Sequence, residues 1–190
     1  TELIAGICGQ THYTMMLASK ALTVTHVSTH VSMEQSIRNC KKERILEVIR
    51  LTWDALPRFQ EHPVIAVAGL NPHAGENGAF GDQELTDIAP AVQAAREEGM
   101  DVVGPLPPDT VFLRAYRGEF GAVVCMYHDQ GHIPMKLLDF EGGVNVSLGL
   151  KVVRTSVDHG TAYDIAYQGK AKTGSLVAAY DYAVKIQNRS

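Results

Sequence analysis

The sequence predicts a layered α/β domain, on three observations. Residues 64–69 (VIAVAG) and 122–126 (AVVCM) are short, continuously apolar and rich in Val and Ile, as expected of strands covered on both faces. Segments of helical period alternate with them. Each run empties directly into glycine and polar residues, where ligands gather in open α/β sheets.

Taken in order, residues 13–18 and 22–27 read as two extended stretches around the polar break Ser19-Lys20, a predicted hairpin. Ser32 and Gln35 have capping-box spacing, and Ile45, Ile49, Trp53 and Leu56 recur near helical period, predicting a helix that closes before Pro57. After the strand at 64–69 comes a turn-rich stretch, residues 71–81. A second helix is expected from Thr86 or Asp87 to Gly99, then a short strand at 101–104 and a proline-rich turn at 105–108. The strand at 122–126 leads into Tyr127-His128-Asp129-Gln130-Gly131. Residues 143–150 form a further strand candidate, and 174–186 a closing helix. No linker, repeat or low-complexity segment divides the chain, so residues 1–190 are read as one unit.

The 190 residues are 45% hydrophobic and 20% charged, with a formal net charge of -4. That balance gives no general attraction to nucleic acid or to an anionic membrane, so an anionic ligand must meet a local basic site. No apolar run approaches the roughly 18 residues that cross a bilayer, and a soluble cytoplasmic protein is expected. Cys8, Cys40 and Cys125 have neither the even count of a disulfide framework nor the close pairing of a zinc knuckle, and read as small apolar fillers.

Eight histidines stand at 12, 26, 30, 62, 73, 128, 132 and 159. A lone histidine is more often structural than a ligand, and His12, His26 and His62 keep that reading. His30, His73 and His128 each follow a strand candidate. Three imidazoles at three strand ends suit a divalent ion such as Zn²⁺, Co²⁺, Ni²⁺ or Fe²⁺, with positions left open for a substrate oxygen. Asp129 either orients a histidine or bonds local backbone. Lys136, Asn145 and Arg154 form either a clamp for phosphate or carboxylate or a solvated surface set. Residues 158–171 (DHGTAYDIAYQGKA) form a glycine-bearing loop that is not a GxGxxG fingerprint; from its local chemistry it reads as a plain turn.

The strings GLNPHAGENGAFGDQE (69–84), GPLPPDTVF (104–112), MYHDQGHIPMK (126–136), GVNVSLGL (143–150) and RTSVDHGTAYDIA (154–166) closely resemble the 4-hydroxythreonine-4-phosphate dehydrogenase family. The likeness extends over essentially the whole chain. It implies an isocitrate/isopropylmalate-dehydrogenase-like fold, of which this is the C-terminal portion, and a homodimer with a shared active site. It places the metal on His30, His73 and His128, the ion being Zn, Co, Mg or Mn. Thr1, Lys136, Asn145 and Arg154 become substrate contacts, with Asp109 and Lys136 in catalytic roles. Asp158, His159, Gly160, Thr161, Ala162 and Asp164 become NAD contacts. The implied reaction is oxidation of a phosphorylated 3-hydroxy acid, with decarboxylation, as in pyridoxal phosphate biosynthesis. STHVS around His30 and HIPMKLLDF after Gln130 look closer to the branch acting on 4-phospho-D-threonate and 4-phospho-D-erythronate. Thr1-Glu2 match the end of the family's GHTE motif, so the preceding portion is expected to be absent and this chain inactive alone. The rival readings are a non-catalytic metal- or ligand-binding relative and a metal hydrolase using the same histidines.

Overall fold

The computed structural model describes residues 2–58 and 63–188; Thr1 and His62 lie outside them. Seven strands form one sheet: β1 (Thr14–Ala18), β2 (Thr23–His26), β3 (Ile65–Ala68), β4 (Val102–Leu106), β5 (Ala122–Cys125), β6 (Val144–Leu148) and β7 (Arg154–Val157). Their order is β4-β3-β5-β2-β1-β6-β7. β4, β3, β5 and β2 run parallel, whereas β1, β6 and β7 continue the sheet through antiparallel pairings. The apolar runs at 64–69 and 122–126 become β3 and β5, side by side in the parallel half and fully buried, which is why they lack polar alternation. The predicted hairpin is present as β1 and β2.

Helices cover both faces. On one, α3 (Lys42–Ala55) and α4 (Ala89–Glu97) pack on Ile65, Val67, Ala122 and Val124, while α7 (Gly174–Asn188) covers Val144 and Val146. On the other, α5 (Val111–Tyr116) and α6 (His128–Leu138) meet Val24, Ala66, Ala68, Val123 and Cys125. α1 (Glu2–Ile7) and α2 (Met33–Asn39) complete the chain.

Two sequence expectations need correction. The helix expected from Ser32 to before Pro57 is two helices, α2 and α3, broken at Cys40-Lys41. Ser32 does cap α2, accepting from the Gln35 amide. The break arises because Asp87, from a distant segment, takes over α3's N-terminus: its carboxylate accepts from the Lys42 amide at 3.2 Å and from Lys41 Nζ at 3.0 Å. Burial opposes ionisation of Asp87, yet these donors and the Thr86 hydroxyl hold its carboxyl below the usual range. The second correction concerns residues 128–138. They read as a polar loop because Gly131 and Pro134 are poor helix formers, yet they fold as α6. The short α5 was likewise not anticipated.

Gly131 is what lets α6 lie against the sheet. A Cβ there would stand 2.7 Å from His26 Nε2, 2.9 Å from Cys125 Sγ and 3.2 Å from Val24 Cγ2. Gly131→Ala is therefore expected to cost about 1–3 kcal/mol through overpacking, read as a lower urea midpoint. An unchanged midpoint would contradict this close docking.

Candidate active site at the strand edge

The carboxyl ends of β3, β5 and β2 lie adjacent, and from them depart the segments carrying His73, His128 and His30. Topology thus places the three expected ligands along one edge. After β3 the chain makes an unusual turn: His73, Ala74, Gly75, Glu76 and Asn77 all have left-handed backbone, with φ between 43° and 78°. For L-residues this conformation costs roughly 1–2 kcal/mol each, so the surrounding structure must impose it. Glu84, 2% exposed, sits inside the curl. Its Oε1 accepts from the Leu70 and Asn71 amides, both at 2.7 Å, and its Oε2 from Asn71 Nδ2 at 2.9 Å. Gly75 is required there, because a Cβ would lie 2.6 Å from Glu84 Oε2.

Gln130, buried in the first turn of α6, joins this loop to the next strand. Its amide donates to the Gly69 carbonyl at 2.8 Å and accepts from the Met126 amide at 2.7 Å. The ends of β3 and β5 are thereby fixed to the start of the helix that carries His128.

His30 and His128 are brought together, with ring centroids 5.7 Å apart. Each has Nδ1 against a carboxylate: His30 with Glu2 at 3.2 Å, and His128 with Asp129 at 2.7 Å. That contact holds the Asp129 carboxyl below its usual range. Carboxylate-backed imidazoles with Nε2 directed elsewhere have the donor chemistry of metal ligands. His73 is not brought into this group; its ring neighbour is Phe80, at 6.1 Å. Among the described residues of one chain, no three His, Cys, Asp or Glu side chains form a group that could hold a metal ion. His30 and His128 offer two imidazole donors of the kind that hold a divalent ion, and His73, the third expected donor, stands apart from them within the chain.

The cationic group lies on the same face of the sheet as α6. Leu17, in register with Asn145, packs with Met135 of α6, and Arg154 is in register with Ser147. Arg154 Nη1 donates to Asn145 Oδ1 and Ser147 Oγ, each at 3.3 Å. Lys136 lies two turns beyond His128 on α6. Burial raises the Asp158 carboxyl, while Lys136, His128 and His159 pull it down, so the loop after β7 shares this electrostatic neighbourhood. Asp109 is exposed in the turn after β4, at the same strand edge.

Residues 158–171 border a cavity of about 560 Å³, lined in part by Phe140, His159, Gly160, Ala162, Ile165 and Ser175. Asp158, Thr161 and Asp164 do not line it. Ser175 accepts from the Asp158 amide and donates to Gly143, tying the loop to β6.

The chain matches the family model for pyridoxal phosphate biosynthetic protein PdxA over residues 1–183. The chain belongs to the PdxA family. It is 49% identical to D-threonate 4-phosphate dehydrogenase of Pectobacterium atrosepticum, over 98% of this chain and 57% of that protein. It is 55% identical to 4-hydroxythreonine-4-phosphate dehydrogenase of Geobacter metallireducens, over 98% of this chain and 55% of that protein. The crystal structure of 4-hydroxythreonine-4-phosphate dehydrogenase from Klebsiella pneumoniae superposes with a TM-score of 0.86 at 49% identity, covering 97% of this chain and 57% of that one. The chain thus spans little more than half the length of these PdxA-family relatives.

Two further histidines, His26 and His132, stand beside the expected ligands without a role in the sequence pattern. The structure sets both in one row with His30 and His128: His128 and His132 rings stack at 3.6 Å with an 11° interplanar angle, and His132 and His26 lie 4.8 Å apart. The available signal was spacing, since His128, His132 and Lys136 fall at i, i+4 and i+8, one stripe of a helix.

His26 is fully buried, its Nδ1 donating to the Met15 carbonyl at 3.3 Å. Burial, and then the charge of His132, push its pKa down to about 3; burial pushes His132 down to about 4. Their unfolded values are near 6.5. Between those limits the unfolded chain takes up protons that the folded form refuses. Stability is therefore full above about pH 7 and falls as the pH drops toward 4, by up to about 1.4 kcal/mol per unit for each group. In unfolding measurements across this range, His26→Gln is expected to flatten the slope by about one proton. An unchanged slope would show that His26 is not held neutral.

Proposed function

We propose that this chain carries the metal and cofactor region of an NAD-linked dehydrogenase acting on a 4-phosphorylated 3-hydroxy acid. The observation that carries the reading is the pair of carboxylate-backed histidines, His30 and His128, at the strand edge, with Lys136 on the helix of His128 and Asn145 and Arg154 on the sheet face that this helix covers. When bound by His30, His73 and His128, a divalent ion (Zn, Co, Mg or Mn) supplies Lewis acidity, which acidifies a hydroxyl and polarises a carbonyl. NAD, held against the 158–171 loop, supplies hydride acceptance. Because His73 stands apart from His30 and His128 within one chain, the reading calls for a homodimer whose copies share the ligand set.

Arg154 and Lys136 bind the substrate's phosphate or carboxylate, Arg154 through its planar fork and Lys136 as a point charge. Asn145 holds the Arg154 guanidinium in place and offers its own amide. Asp129 fixes the His128 tautomer, and in this reading Asp109, exposed at the same edge, exchanges a proton with substrate. Loss of CO₂ then follows from the chemistry of a β-keto acid. The protein is taken as cytoplasmic, and no helix among the described residues is long and apolar enough to cross a membrane.

Two substrates fit this chemistry: 4-phosphooxy-L-threonine, in pyridoxal phosphate biosynthesis, and a 4-phospho-D-threonate or D-erythronate. The second is favoured by the name of the Pectobacterium relative, the first by that of the Geobacter relative. The test is NADH formation by the complete encoded protein with each substrate and each metal. Metal-dependent NADH with one substrate supports the reading. Arg154→Ala is expected to lower kcat/KM by about 10–100-fold, the worth of a hydrogen bond to a charged group. Phosphate release without NAD would favour a hydrolase, and substrate binding without turnover a non-catalytic relative.

A further inference from the structure

The four-histidine row has a gradient of depth. Side-chain exposure is 60% for His30 and 36% for His128, while His132 is 7% exposed and His26 wholly buried. Every member has Nδ1 committed to an oxygen: Glu2, Asp129, the His128 carbonyl and the Met15 carbonyl. A carbonyl can only accept, so His132 and His26 must carry hydrogen on Nδ1. For His132 this fixes the ring. Its Nδ1 donates at 2.9 Å to the carbonyl of His128, one turn back, and its face lies flat on the His128 ring. Next to it, 4.8 Å away, the buried His26 ring is anchored on the Met15 carbonyl and lies close against Gly131.

We infer that His132 is a positioning residue for His128: a rigid aromatic platform, braced from below by His26, that sets the plane of the His128 ring and so the direction of its Nε2. The Nδ1 edge of His128 is held by Asp129 and its face by His132, and the His30 ring lies 5.7 Å away, tilted by 47°. An aliphatic side chain at 132 would fill the space and leave the ring free to rock. The inference rests on the reading of His128 as a metal ligand, and outer-sphere residues that orient such ligands are worth about 10–100-fold in metal affinity.

The test is Co²⁺ binding to the complete protein, followed by titration and by its visible absorption, for wild type, His132→Phe, His132→Asn and His132→Leu. Phe keeps the platform without the hydrogen bond; Asn keeps a donor to the i−4 carbonyl without the ring. The expected result is wild-type affinity within about threefold for Phe, and weakening by about 10–100-fold, with an altered spectrum, for Asn and Leu. Wild-type binding by Leu, or an equal loss in Phe and Leu, overturns the inference. So does a loss that merely follows the thermal midpoints of the metal-free variants, which would make His132 structural only. Absence of Co²⁺ binding by wild type overturns the metal reading itself and the inference with it, a result distinct from the others.

Discussion

The carboxamide of Gln130 decides the geometry of this half of the molecule. It is buried where β3, β5 and α6 meet, giving its donor to Gly69 and its acceptor to Met126. Both backbone groups lie just past strands whose own ladders have ended, so without Gln130 they would be buried without partners, at about 1–3 kcal/mol each. Satisfying them with one side chain from the first turn of α6 fixes the helix start against both strand ends. The segments bearing His73 and His128 therefore leave the sheet from a shared anchor rather than as independent loops.

Around that anchor, strain and packing are set against each other. Five successive left-handed residues, four of them not glycine, would not persist in an unsupported loop. They persist because Glu84 sits inside the turn and accepts from the Leu70 and Asn71 amides and the Asn71 side chain just ahead of it, while Gly75 leaves room for the carboxylate. On the other side of the edge, Gly131 removes the one Cβ that would hold α6 off His26. The functional edge is thus built by a few polar groups with no freedom left, standing on a sheet whose core is ordinary Val, Ile and Ala.

The parts of this arrangement differ in how far the sequence discloses them. β3 and β5 are legible because strands buried on both faces need unbroken apolar runs, and the Ser32 cap because capping is local. The break between α2 and α3 is illegible because Asp87, which caps α3, lies 45 residues away along the chain. α6 hides because Gly131 answers to close packing on His26 rather than to helix propensity, and Pro134 interrupts the helical pattern. The same concealment removes the i, i+4 relation that would have singled out His132. The strand-edge placement of His30, His73 and His128 is readable from pattern, but the separation of His73 from the other two depends on the left-handed turn, which no local propensity encodes.

That edge is the proposed seat of a divalent ion shared between two copies of the chain. X-ray absorption on the complete zinc-loaded protein, with His30→Ala, His73→Ala and His128→Ala alongside, addresses it most directly. Three imidazole nitrogens at about 2.0–2.1 Å, one lost in each variant, is the result the account predicts. A zinc shell unchanged by all three substitutions would contradict it.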